Sequence, residues 1–188
     1  MEKDESKYYH SLYKVAAAIN SVRASEPVLN SIVENVARAM GTKACSLTLL
    51  SPDKKLLFHV ASWGLSDWFV KMGPLSADKS IPKVLDGNPV AVLDATSDER
   101  IQYPEQVEKE GIASILSVPM MLREEIIGEV RVYTAEPRRF SEADMHFVSA
   151  VANLGAIALE NARLYETAQK DYQVVMQEML EWRSPLGL

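Results

Sequence analysis

The sequence predicts an α+β fold, in which one antiparallel sheet carries helices on one face and irregular structure on the other. Three features point there. Two helix-period segments open the chain, two strand pairs with turn-forming links flank a middle broken by proline and glycine, and one long uninterrupted helical pattern closes it. With 188 residues, 47% hydrophobic and 24% charged, the chain can bury the core of one domain and has about thirty residues to spare.

From Asp4 to Arg23, the residues Tyr9, Leu12, Ala16 and Ile19 recur in steps of three and four, a single stripe on a helix. Ser25-Glu26-Pro27 then supplies a cap and an early-turn proline. The helix they start has the wider face Leu29, Ile32, Val33, Val36, Ala37 and Met40, and Gly41 stops it. Ala44 to Leu50 and Leu56 to Trp63 are apolar-rich runs of strand length, and Ser51-Pro52-Asp53-Lys54 between them predicts a hairpin. Gly73-Pro74, Pro82, Gly87-Asn88-Pro89 and Pro104 break all periodicity from Gly64 to Glu110. Short helices, a short strand over Val90 to Leu93 and long loops are expected there, and such loops carry binding groups. Strand patterning returns at Ser114 to Leu122 and Ile126 to Thr134, turned by Arg123-Glu124-Glu125.

The final helix has a defined start. Ser141 is its cap, Asp144 the capping-box acid, and Phe140 and Met145 the two halves of a hydrophobic staple. No proline follows before Trp182, and Gly155 is the only glycine, so the helix should reach about 60 Å at 1.5 Å per residue. Its second half needs something beyond its own domain to pack on. The seam expected for that purpose is Val148, Val151, Gly155, Ala158, Ala162, Tyr165, Gln169, Tyr172, Met176 and Met179, with Leu154, Ile157 and Leu164 left for the sheet. Together with the stripe of the first helix, this predicts a homodimer held by a parallel four-helix bundle. Residues 1–24 and 161–188 would form the bundle, and residues 25–160 the domain.

Charge and cysteine content narrow the function. Twenty Lys and Arg against 26 Asp and Glu give a net charge of −6, which disfavours nucleic acid and anionic lipid as partners. A single cysteine makes neither an intramolecular disulfide nor a zinc site. The charged start Met1-Glu2-Lys3-Asp4-Glu5 leads to no apolar segment, and no run reaches the ~18 apolar residues of a membrane span, so a cytoplasmic protein is expected. His10, His59 and His146 have no metal-ligand spacing and read as surface or partly buried imidazoles, while Cys45, beside Leu47 and Leu49, reads as an inert buried thiol. Gly-x-Ser-x-Gly, Walker and Gly-x-Gly-x-x-Gly patterns are absent, and Asp98-Glu99 and the acids from Glu105 to Glu110 read as solvated helix faces. No catalytic residue, metal or cofactor is expected.

The stretch Asp94, Asp98-Glu99-Arg100-Ile101-Gln102-Tyr103-Pro104 and Glu110-Gly111-Ile112-Ala113-Ser114-Ile115-Leu116-Ser117-Val118-Pro119-Met120 resembles the second half of a GAF domain. So do Ile127-Gly128-Glu129-Val130, Phe140, Asp144 and the run from Ala156 to Tyr165. The resemblance covers about Ser25 to Glu166. It implies a non-catalytic sensory or regulatory domain of a signal transduction protein that binds a small molecule, with a small enzyme or redox regulator of this fold, acting through Cys45 or the loop acids, and a ligand-free dimerisation module as the alternatives. The terminal helices would back a sheet whose opposite face forms a pocket roofed by the middle loops, and signals would pass through the helical dimer. A covalent bilin is not expected, because Cys45 lies on the first strand rather than in a loop. Free methionine sulfoxide reductase chemistry needs several cysteines. The cyclic-nucleotide pattern is departed from at Thr134-Ala135 and Met145. A stand-alone regulator, or a sensor joined to a kinase, cyclase or transcription-factor output, fits the resemblance.

Side chains two apart on a strand share a face, so Glu129, Arg131 and Tyr133 lie together and Val130 and Val132 face the helices. The polar face should be the pocket face. The family pattern puts Ser46 and Thr48 on that side, with Trp63 at the end of the second strand, and makes Trp68, Phe69, Ser80, Ile81, Asp94, Tyr103 and Ser114 walls and roof. Arg131 then either anchors a small anionic or planar molecule, or pairs internally with Glu129 or a loop aspartate.

Overall fold

A computed structural model describes residues 2–21, 25–80, 84 and 86–183. The elements in chain order are α1 (Glu2–Ser21), α2 (Ser25–Met40), β1 (Ala44–Leu50), β2 (Leu56–Trp63), α3 (Asp67–Val70), β3 (Leu75–Ser76), α4 (Ala77–Ser80), β4 (Val90–Val92), α5 (Pro104–Lys109), β5 (Ser114–Leu122), β6 (Glu125–Thr134) and α6 (Glu142–Arg183). The strands form one antiparallel sheet of six in the order β3-β2-β1-β6-β5-β4. This is the α+β class that the sequence predicts.

Local chemistry explains the turns and ends. Arg123 and Glu124 both take positive φ, 49° and 69°, the signature of a two-residue hairpin turn matched to strand twist, so β6 begins at Glu125. At the start of α6 the capping box closes in both directions: Asp144 N donates to Ser141 Oγ at 3.2 Å and Ser141 N donates to Asp144 Oδ2 at 2.8 Å. Gly128 lets β6 approach β1 closely. A Cβ there would lie 2.1 Å from the Thr48 carbonyl oxygen, which no side chain tolerates.

The main core lies between the sheet and the layer of α1, α2 and α6. Ile32, Val33 and Val36 of α2 and Val148 and Val151 of α6 meet Leu47, Val118, Met120, Val130 and Val132 from the strands, all at most 1% exposed. Each such side chain contributes about 1.5–3 kcal/mol by leaving water. Val15 joins this core from α1, and Tyr8 anchors that helix below it, stacked on Phe147 with ring centroids 4.2 Å apart and donating its hydroxyl to Asp144.

The structure corrects the assignment of faces on α6. Val148, Val151, Gly155 and Ala158 face the chain's own sheet, whereas Ile157 and Leu164 stand 48% and 52% exposed. The small residues serve a close helix-to-sheet approach: the Cβ position of Gly155 lies 3.5 Å from Met120 Sδ and 3.7 Å from Leu47 Cδ1. Further along α6 the expected seam residues Tyr165, Gln169, Tyr172, Met176 and Met179 are exposed, and so is a second stripe of Ile157, Asn161, Leu164, Ala168, Tyr172, Val175, Met179 and Trp182.

Candidate functional site

The opposite face of the sheet carries a second, smaller core. Ala44, Ile115 and Tyr133 from the strands meet Phe69 of α3, Val107 of α5, and Ile101 and Ile112 of the connecting loops. Within it lies a cavity of about 30 Å³, bounded by His59, Ile115, Arg131 and Tyr133 of the sheet. Phe69, Met72, Gly73, Leu75, Ile101, Gln102, Tyr103 and Val107 close it from above.

Strand register gathers the polar floor. Ser46 and Ser117 stand opposite Arg131 on either side of β6, and Thr48 stands opposite Glu129. Ser46 Oγ and the Tyr133 hydroxyl are 2.9 Å apart, Thr48 Oγ1 donates to Glu129 Oε1 at 3.5 Å, and Arg131 Nη2 donates to the same oxygen at 2.6 Å. Arg131 also meets the Tyr133 side chain. Of the two expectations for Arg131, the structure provides the internal partner, Glu129. Burial works against the guanidinium charge, but Glu129 and Tyr133 outweigh it and hold the group more firmly protonated.

The same burial keeps the neighbouring groups neutral. His59 falls to about 4, first because it is buried and then because Arg131 is close, so it is an uncharged imidazole at neutral pH. Burial pushes Tyr133 up to about 12. Two floor atoms, His59 Nδ1 and Ser117 Oγ, are buried without a hydrogen-bond partner among the described residues.

Two side-chain ties hold the roof. Glu110, only 8% exposed, accepts from Ser66 N at 2.8 Å and from Ser66 Oγ, so the end of α5 is fastened to the cap of α3 and Phe69 is set edge-on to Tyr133. This corrects the reading of Glu110 as a solvated acid. Gln102 accepts from Ser76 N at 2.9 Å and donates to the Tyr103 hydroxyl at 2.8 Å, joining β3 to the segment before α5.

Of the residues expected at a pocket, Arg131, Tyr133, Tyr103 and Phe69 line the cavity, and Ser46 and Thr48 support its floor. Four others lie elsewhere. Trp63 packs on the helix side, with the Arg38 guanidinium 5.3 Å from its ring, because a bulge in β2 shifts the register between Leu47 and Thr48 and reverses the faces beyond His59. Trp68 is 39% exposed outside the cavity, edge-on to Phe69 and beneath Lys109 Nζ at 4.7 Å. Asp94 is an exposed turn residue that accepts from Thr96 N, Thr96 Oγ1 and Ser97 Oγ, and these bonds lower its acidity range. Ser114 donates to the Leu93 carbonyl at 2.6 Å and accepts from Arg138 N, bracing β4 and the approach to α6. Ser80 ends α4, and Ile81 lies outside the described residues.

Sequence reasoning missed His59, Gln102 and Glu110. His59 was within reach, since counting back from the β1–β2 turn pairs it with Thr48, on the pocket side. Cys45 lies on the opposite, helix-facing side, fully buried, with its thiol pushed up by desolvation, a position without nucleophilic character.

A sheet backed by long helices, with a loop-roofed cavity over charged and aromatic residues, places this chain in the class of small α+β domains of the GAF type. The chain belongs to the GAF domain family, whose model matches residues 25–159. It is similar to the GAF domain of an Acinetobacter phosphoenolpyruvate-protein phosphotransferase, with 26% identity, 83% of this chain and 94% of that one covered, and a TM-score of 0.71. The GAF domain of a Coxiella burnetii phosphoenolpyruvate-protein phosphotransferase shares the fold at 19% identity, with 86% and 98% covered and a TM-score of 0.76. A curated relative from Escherichia coli strain K12, described as phosphoenolpyruvate-dependent phosphotransferase system, is 24% identical over 155 residues. That match covers 81% of this chain but only 21% of the relative. Among the described residues no helix is long and apolar enough to cross a membrane.

Proposed function

We propose that this chain is a non-catalytic GAF sensory module that binds a small molecule over the polar face of its sheet and relays occupancy through a helical homodimer. The observation that carries this is the course of α6. Its first half packs on β5 and β6, the strands that floor the cavity, while residues 161–183 project about 35 Å further with an exposed apolar seam. A shift in the floor therefore acts directly on a lever that leaves the domain. The similarity to phosphotransferase GAF domains supports a phosphotransfer protein as the output, in a cytoplasmic setting.

Native mass spectrometry of freshly purified protein tests both halves of the proposal. A dimer carrying an extra small mass is the expected result. A bare monomer overturns it. The small cavity favours a second reading, a dimerisation module without a ligand, since about 30 Å³ holds roughly one water. A bare dimer in the same experiment would select that reading.

A further inference from the structure

We propose that the cavity over β6 selects an uncharged, flat, hydrogen-bonding molecule of single-ring size and rejects the corresponding anion; this rests on the sensory reading above. Charge is the first reason. Arg131 and Glu129 are 5% and 2% exposed and 2.6 Å apart, so the cation already has its counter-ion. A carboxylate drawn to Arg131 must displace Glu129, which then keeps Thr48 Oγ1 at 3.5 Å as its hydrogen-bond donor in a desolvated site. A cationic ligand would meet the like charge of Arg131, which lines the same cavity. An uncharged molecule avoids both penalties.

The walls give the shape. His59, Phe69, Tyr103 and Tyr133 present four π-systems to the cavity, and Phe69 stands at 84° to Tyr133 with centroids 6.4 Å apart, leaving ring edges and faces for a flat guest. Hydrogen bonding sets the substituent. Among the described residues His59 Nδ1 is buried without a partner, and the Tyr103 hydroxyl, which accepts from Gln102, keeps its own proton to donate. A primary amide or lactam offers a donor and an acceptor on one planar group and satisfies both. Since the closed cavity holds about one water, a ring enters as the Met72–Leu75 and Ile101–Tyr103 segments part, and the Gln102 tie to Ser76 is the bond that opens.

Matched isosteres test this. Benzamide against benzoate, and nicotinamide against nicotinate, are titrated at pH 7.5 into wild type, His59→Phe and Tyr103→Phe, and followed by NMR shifts of β6 amides. Circular dichroism confirms that each variant is folded. The expected result is that each amide binds wild type at least about tenfold more tightly than its carboxylate, and that either variant weakens amide binding by about tenfold. Equal binding of the pair, or tighter carboxylate binding, overturns the charge selection while leaving a sensory pocket in place. Amide binding unchanged in both variants overturns the hydrogen-bond assignment. If no probe perturbs β6 and native mass spectrometry shows bare protein, the sensory reading itself fails and this inference fails with it.

Discussion

Glu129 and Arg131 project from the same face of β6 and close a salt bridge of 2.6 Å, with both side chains almost wholly out of water. The strand's alternation sends Val130 and Val132 into the helix-side core, so one ten-residue strand carries an ion pair on one face and an apolar wall on the other. The pair is costly to break from one side only. Arg131→Met should leave Glu129 as a buried unpaired carboxylate and lower stability in urea by about 3–5 kcal/mol. Glu129→Met with Arg131→Met should recover most of that loss. Additive losses in the double variant would show that the two charges do not depend on each other.

His59 predicts an acid-sensitive window. Its folded pKa is about 4, below the ordinary value of 6.5, so between these limits the unfolded chain binds the extra proton. Stability should be complete above pH 6.5, decline as pH falls through the window, and reach its full loss below pH 4, on the order of 3 kcal/mol. His59→Gln should flatten this part of the profile relative to wild type in chemical denaturation. Parallel profiles in the two proteins would remove His59 as the cause.

How far the sequence reveals the site depends on whether its determinants are local. Alternation places Glu129, Arg131 and Tyr133 on one face from sequence alone, and Ser141 with Asp144 marks the start of α6, because strand parity and capping involve neighbours. Trp63 shows where locality ends: one extra residue in β2 sends it to the helix side, and no composition signal marks the bulge. Gly155 and Ala158 fit a close helix–helix seam or a close helix–sheet contact equally well. Only the packed partners Met120, Leu47 and Ile32 decide between these. The roof ties from Glu110 to Ser66 and from Gln102 to Ser76 span 44 and 26 residues in aperiodic segments, beyond any pattern argument.

Tyr8 couples α1 to the start of α6. Its hydroxyl donates to Asp144, which also accepts from Arg138 and Ser141, and its ring stacks on Phe147. Tyr8→Phe keeps the stacking and removes the hydrogen bond, so it should cost about 1–2 kcal/mol. Backbone amides of α1 should then exchange with deuterium faster than those of α2. If the whole domain loosens uniformly, Tyr8 is a general core contact rather than a specific fastening of α1.

The outward seam of α6 provides the sharpest separation of readings. Ile157 and Leu164 lie seven residues apart, Val175 follows after eleven, and Tyr172, Val175, Met179 and Trp182 continue in steps of three and four, a heptad pattern with one local unwinding. In the single chain Leu164 and Val175 are 52% and 51% exposed, so glutamate at either position should change the stability of an isolated domain by no more than about 0.5 kcal/mol. Across a parallel homodimer the same substitutions place like charges in the interface. Leu164→Glu combined with Val175→Glu should therefore sediment as a folded monomer at concentrations where wild type is dimeric. Ala158→Glu should behave differently, because Ala158 is 7% exposed against the chain's own core, and its effect should be loss of the domain fold itself. Parallel register is checked with Leu164→Cys in a Cys45→Ala background: two copies side by side in the same direction bring the new thiols within disulfide reach, while an antiparallel pair sets them apart. Wild type sedimenting as a monomer at tens of micromolar would refute the dimer directly. Monomerisation by Ala158→Glu with the domain intact would restore the small-residue face as the interface.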